Sequence, residues 1–76
     1  MSREFDGILP VIVSGLAQKI TAAESLDEET VLSKLYTSKL YALLEQEDTG
    51  VWQFSVPYLY EKYKEEMETG QITFLD

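Results

Sequence analysis

Neither histidine nor cysteine occurs in this chain of 76 residues. The side chain that shuttles protons near neutral pH and the strongest natural nucleophile are therefore both missing. What remains for chemistry is 14 carboxylates, six Lys and Arg residues, five tyrosines and a set of hydroxyls. No G-x-S-x-G turn, phosphate-binding loop, S-x-x-K set or dinucleotide glycine pattern organises them. A short helical chain also has little room for a substrate cavity of several hundred Å³. The reading is a non-enzyme. Glu45, Glu47 and Asp48 precede a glycine, but the alternating oxygen ligands and distal Glu of a calcium loop are absent, and zinc would lack its nitrogen and sulfur ligands. No metal or cofactor is expected.

The carboxylates are better suited to docking than to catalysis. Glu45, Glu47 and Asp48 fall at the end of one expected helix, and Glu65, Glu66 and Glu68 at the end of the next. Both clusters oppose the local helix dipole, by about 0.3 to 1 kcal/mol per charge at low salt. They form either a solvated face that keeps a small protein soluble or a surface for a basic partner. Of the aromatic residues, Tyr60 and Tyr63 follow the apolar spacing and belong to the core, and Trp52 closes its end. Tyr41 and Tyr58 lie off the stripes, which makes them candidates for an exposed contact surface.

A net charge of -8 argues against direct binding to nucleic acid, which needs clustered Lys and Arg. The apolar run Ile8 to Ala17 is too short to span a bilayer, its leader carries two acids against one arginine, and no signal-peptide cleavage site follows closely. Together with the absence of cysteine, this reads as a soluble cytoplasmic protein without a membrane partner. Hydrophobic residues make up 45% of the chain, enough for a folded core in one domain over residues 1–76. So short a chain buries only about 60% of its unfolded surface. With no disulfide or metal to help, regular helix packing and self-association must supply the rest.

The elements that position these residues follow from spacing and caps. Met1 to Gly7 reads as a polar lead-in with Phe5 folded back. Pro10 suits the first turn of a helix, so helix 1 is expected from Ile8 to about Ala23, with its stripe at Leu9, Ile12, Val13, Leu16, Ile20 and Ala23. Ile8 and Val11 fall outside that stripe, which calls for a cover, preferably a second copy. Ser25 and Glu28 form a capping-box pattern for helix 2, whose stripe is Leu32, Leu35, Tyr36, Leu40, Leu43 and Leu44. Thr37 and Ser38 interrupt it and favour a bend that re-aims Leu40, Leu43 and Leu44 against helix 1. Gly50 supplies a left-handed stop and Val51 to Phe54 an extended piece. Ser55 caps helix 3, with Pro57 in its first turn and a stripe at Val56, Leu59, Tyr60, Tyr63 and Met67. Gly70 stops that helix, and Ile72 to Leu75 form a second extended piece able to pair with the first. The expected fold is all-α, three main helices with the second bent or split near Thr37 and Ser38, plus two short extended segments.

The run Leu35-Tyr36-Thr37-Ser38-Lys39-Leu40-Tyr41 through Glu47-Asp48-Thr49-Gly50-Val51-Trp52, followed by Ser55, Pro57 and Leu59-Tyr60, resembles a pattern in small helical proteins of Firmicutes. Some of those are similar to short domains found near toxin-like genes. The resemblance covers roughly the last two thirds of the chain. It implies a bacterial origin and an accessory or antitoxin-like role, and it brings no activity or catalytic residues with it.

Two functions from different classes follow. One is a protein-interaction module, an adaptor or neutralising partner that works through apolar and tyrosine contacts, with Ile8, Val11, Tyr41 and Tyr58 at its surface. The other is an acidic mimic or inhibitor of a nucleic-acid-binding protein, acting through Glu45, Glu47, Asp48, Glu65, Glu66 and Glu68.

Overall fold

A computed structural model describes residues 3–74. Four helices follow one another: α1 (Arg3–Glu24), α2 (Glu28–Tyr36), α3 (Lys39–Leu44) and α4 (Val56–Thr69), with two 3-10 turns, Glu47–Thr49 and Val51–Gln53, between the last two. The fold is all-α, and no strand occurs among the described residues.

Helix α1 begins five residues earlier than Pro10 alone would dictate, so Pro10 lies inside it. An interior proline leaves the carbonyl four residues earlier, that of Asp6, without its N–H partner and costs about 3 kcal/mol. The extra turns persist because Phe5 is buried and sets its ring edge-to-face against Trp52, with centroids 5.4 Å apart and planes at 79°. Burying a phenylalanine stabilises by an amount of the same order, about 2 to 3 kcal/mol, and tertiary packing overrides the local signal. The buried face is Phe5, Ile12, Val13, Leu16, Ala17 and Ile20. Leu9 is only partly buried and Ala23, expected on the stripe, is exposed.

The expected Ser25 and Glu28 capping box does not form. Ser25 takes a left-handed φ of 56° and its N–H still bonds to Thr21 O at 2.9 Å, so it ends α1. The cap of α2 is Asp27, whose carboxylate accepts from the Thr30 N–H at 3.2 Å and the Thr30 hydroxyl at 2.6 Å. These bonds hold the Asp27 carboxyl below its ordinary range, the hydroxyl bond being the larger cause.

The split at Thr37 and Ser38 is real, and every donor it exposes is matched. The Ser38 hydroxyl, itself buried, donates to Leu35 O at 2.6 Å and accepts from Tyr41 N at 3.0 Å. Ala42 N bonds to Ser38 O at 3.3 Å. The other two N–H groups that begin α3 go to α4: Lys39 N donates to Glu66 Oε2 at 2.8 Å and Leu40 N to Glu66 Oε1 at 3.1 Å. An interior carboxylate thus closes the start of a six-residue helix that could not stand alone. The break does re-aim Leu40 and Leu44 into the core. They arrive mainly against α4 and the second 3-10 turn rather than against α1.

Gly50 adopts the expected left-handed φ, 73°. What it ends is the first 3-10 turn, because α3 has stopped at Leu44 and the Thr49 hydroxyl caps Leu43 O and Gln46 O, each at 2.8 Å. Val51 to Gln53, expected as extended, coil into the second turn, which brings the Trp52 indole N–H onto Glu47 O at 2.8 Å. Ser55 caps α4 as expected, and Gly70 ends it with φ 79°. Gly15 lets α1 approach this helix closely: a Cβ there would lie 3.2 Å from Val56 Cγ2. The inward face of α4 is Leu59, Tyr63 and Glu66, with Val56 and Tyr60 partly buried; Met67 points outward and is 45% exposed. Residues 71–74 are irregular and form no ribbon with Val51 to Phe54. They fold back on α4, where Glu65 accepts from Thr73 N and its hydroxyl at 3.2 and 2.8 Å. Leu75 lies outside the described residues.

Tyr63 is fully buried and its hydroxyl meets no hydrogen-bond partner among the described residues. Burial pushes this phenol above its ordinary pKa, with the Glu24 and Glu66 carboxylates adding to the effect. An unmatched buried hydroxyl costs about 1 to 3 kcal/mol. Tyr63→Phe should therefore leave stability unchanged or raise it by about 1 kcal/mol, read as the urea midpoint at constant slope. A loss above about 1 kcal/mol would show that the hydroxyl is bonded after all.

Candidate interaction groove

The two acidic clusters have different fates. Glu66 is buried, 8% exposed, and spent on the start of α3. Glu65 is bound to Thr73 and to Lys62, the latter at 3.2 Å. Those contacts, the Thr73 hydroxyl first, hold its carboxyl below the ordinary range. Neither offers a free carboxylate to a partner, which corrects their assignment to a contact surface. Glu45, Asp48 and Glu68 are exposed and Glu47 is half-buried.

Tyr58 is also engaged within the fold. Its ring lies 4.7 Å from that of Phe54 and 6.3 Å from that of Phe74, while Phe54 and Phe74 stack at 5.7 Å. The Lys62 ammonium sits 5.4 Å from the Tyr58 ring and 5.6 Å from the Phe74 ring, and it donates to Thr73 O. This group clasps the C-terminal segment onto α4.

Tyr41 behaves differently. Through the split it meets Tyr36 edge-to-face, with ring centroids 4.9 Å apart at 70°. In one continuous helix, residues five apart would point about 140° away from each other; the turn at Thr37 and Ser38 brings them together. Burial pushes the Tyr41 phenol above its ordinary pKa, followed by the Glu45 carboxylate one turn on and by Tyr36. The Tyr36 ring, expected in the core, is 51% exposed.

This tyrosine pair closes one end of an open groove of about 360 Å³ between α1 and α2. The three-residue connection Ser25 to Asp27 reverses the chain, so α1 and α2 lie side by side. Leu9, Val13 and Ala17, at spacings of four, form the floor. Pro10, Ser14 and Gln18, again at spacings of four, form one wall, and Glu28, Leu32 and Tyr36 form the other. Such rows are the ridges that neighbouring helices interlock. Val11, 65% exposed, lies just beyond the Pro10 ridge in a shallow depression with Ser14, Gly15 and Gln18, and Ile8 is 39% exposed. Val11 therefore extends the apolar surface around α1.

Of the residues singled out from the sequence, the structure brings only Tyr41 into the groove. Leu9, Val13, Leu32 and Tyr36 were read as core. Their four-residue spacing was visible, but not that two such rows would be left without a third helix over them. No family model matches the chain, and neither curated proteins nor solved structures include a match. Among the described residues no helix is long and apolar enough to cross a membrane.

Proposed function

We propose that the protein is a non-enzymatic interaction module, a small cytoplasmic adaptor or antitoxin-like partner, that docks another protein in the α1–α2 groove. The observation that carries this reading is the open apolar groove ending in the exposed Tyr36 and the half-buried Tyr41. Shallower depressions occur around Val11 and between Leu43 and Ile72, but neither is framed by an aromatic pair. Apolar surface framed by tyrosines is the composition of binding hot spots. The uncovered Ile8 and Val11 support self-association through α1 as a secondary contact. The acidic-mimic reading has lost two of its six carboxylates, because Glu65 and Glu66 serve the fold.

The test is affinity capture from the native host with wild-type protein, Leu32→Glu and Met67→Glu. Leu32 lines the groove, and Met67 is an exposed apolar residue outside it. Loss of a specific partner by Leu32→Glu, with circular dichroism unchanged and Met67→Glu still binding, supports the groove. A partner held equally by all three overturns it.

A further inference from the structure

The groove has a sign as well as a shape. No lysine or arginine lines it; Arg3 lies one turn ahead of Asp6 on α1, and the lysines are engaged elsewhere, Lys62 by Glu65 and Thr73. Lys34 pairs with Glu24 at 3.5 Å, Lys64 with Glu61 at 3.2 Å, and Lys39 donates to Gly70 O at 2.6 Å. Lys19 lies 5.9 Å from the ring of Tyr60. One carboxylate lines the groove and two more lie one helical turn beyond lining residues. Glu28 belongs to the α2 wall at the end near Gln18. At the other end Glu45 follows Tyr41 by one turn, its N–H bonded to Tyr41 O at 3.0 Å. Asp6 continues the Pro10, Ser14, Gln18 row by one further turn of α1. All three are exposed, and none has an ion-pair partner among the described residues.

The wall from Pro10 to Gln18 is about 12 Å long at 1.5 Å per residue, room for about two turns of a third helix seated on the paired ridges. Resting on the interaction-module reading, we infer that the occupant is an amphipathic helix of a partner protein. Its apolar residues recur at i, i+3 or i+4 and i+7, and Lys or Arg flank them at both ends to meet Glu28 at one end and Asp6 and Glu45 at the other. A second copy of this chain fits less well, since it would bring a further net charge of -8 against the same acidic ends.

Two synthetic helical peptides with the same leucine face, one flanked by lysines and one by glutamates, serve as probes in an amide-shift titration of the full chain. The lysine peptide should shift Leu9, Val13, Leu32, Tyr36 and Tyr41, bind at least tenfold more tightly than the glutamate peptide, and weaken several-fold when Glu28→Gln and Glu45→Gln are combined. Equal binding of the two peptides overturns the inference. So does binding centred on Asp48 and Glu68, or groove shifts that appear on concentrating the protein alone, which would mark a second copy as the occupant. Equal binding of the two peptides in the groove leaves the interaction-module reading intact, and that reading is decided separately by the Leu32→Glu capture.

Discussion

Glu66→Ala should lower stability by about 3 kcal/mol, because it strips two charge-assisted hydrogen bonds from Lys39 N and Leu40 N and leaves Leu40 N buried without an acceptor. A domain of this length is stable by only roughly 4 to 11 kcal/mol. At about 4 to 8 °C per kcal/mol, the melting midpoint should fall by roughly 12 to 24 °C. Glu66→Gln keeps an acceptor but no charge, and should lose about half as much. Glu68→Ala is the control: that side chain is exposed at the negative end of the same helix, so its removal should change stability by no more than about 0.5 kcal/mol. Urea unfolding followed by Trp52 fluorescence reads all three. If Glu66→Ala costs no more than Glu68→Ala, the carboxylate does not close the start of α3.

The functional consequence runs through the same residue. Glu66 holds α3 at its angle to α2, and that angle brings Tyr41 onto Tyr36 at the end of the groove. A carboxylate that looks like contact surface in the sequence thus shapes the contact surface from inside.

Phe5→Ala is the second large effect. Removing a buried aromatic from a packed site costs about 3 to 5 kcal/mol, and here the loss should be local as well as global. Without the Trp52 contact nothing offsets the interior Pro10, so residues 3–9 should leave the helix, with loss of helical circular dichroism and of amide protection ahead of Pro10. Pro10→Ala should act in the opposite sense. It restores the N–H that Asp6 O lacks, worth about 3 kcal/mol, less about 1 kcal/mol for the extra freedom of the unfolded chain. A net gain of about 2 kcal/mol is expected, and added to Phe5→Ala it should recover part of the lost helix. Undiminished protection of residues 5–9 in Phe5→Ala would remove this account of α1.

Much of the fold was legible because it depends on short-range chemistry. Zero cysteine and histidine, apolar residues at three and four spacings, serine caps at Ser38 and Ser55, and left-handed glycines at Gly50 and Gly70 each act within one turn of chain. They determined an all-α fold, the split of the second helix and where α4 starts and stops. Where two local signals competed, distant contacts chose between them. Pro10 and Phe5 make opposite demands on the start of α1, and Trp52, 47 positions further on, decides for Phe5. Ser25 and Asp27 are both able to cap α2, and the chain reversal that lays it beside α1 selects Asp27.

The groove lay furthest from what the sequence could determine. Its rows at Pro10, Ser14, Gln18 and at Glu28, Leu32, Tyr36 have ordinary amphipathic spacing, and spacing alone cannot distinguish a row covered by another helix from a row left open. That choice belongs to the third dimension. Helix α3 is drawn to α4 by Glu66, so Leu40 and Leu44 are buried there and no element lies over the groove between α1 and α2. The acids Glu65 and Glu66 illustrate the same division: their charge and helical position were determined by the sequence, while the tertiary structure alone decided that one would hold Thr73 and the other the start of α3.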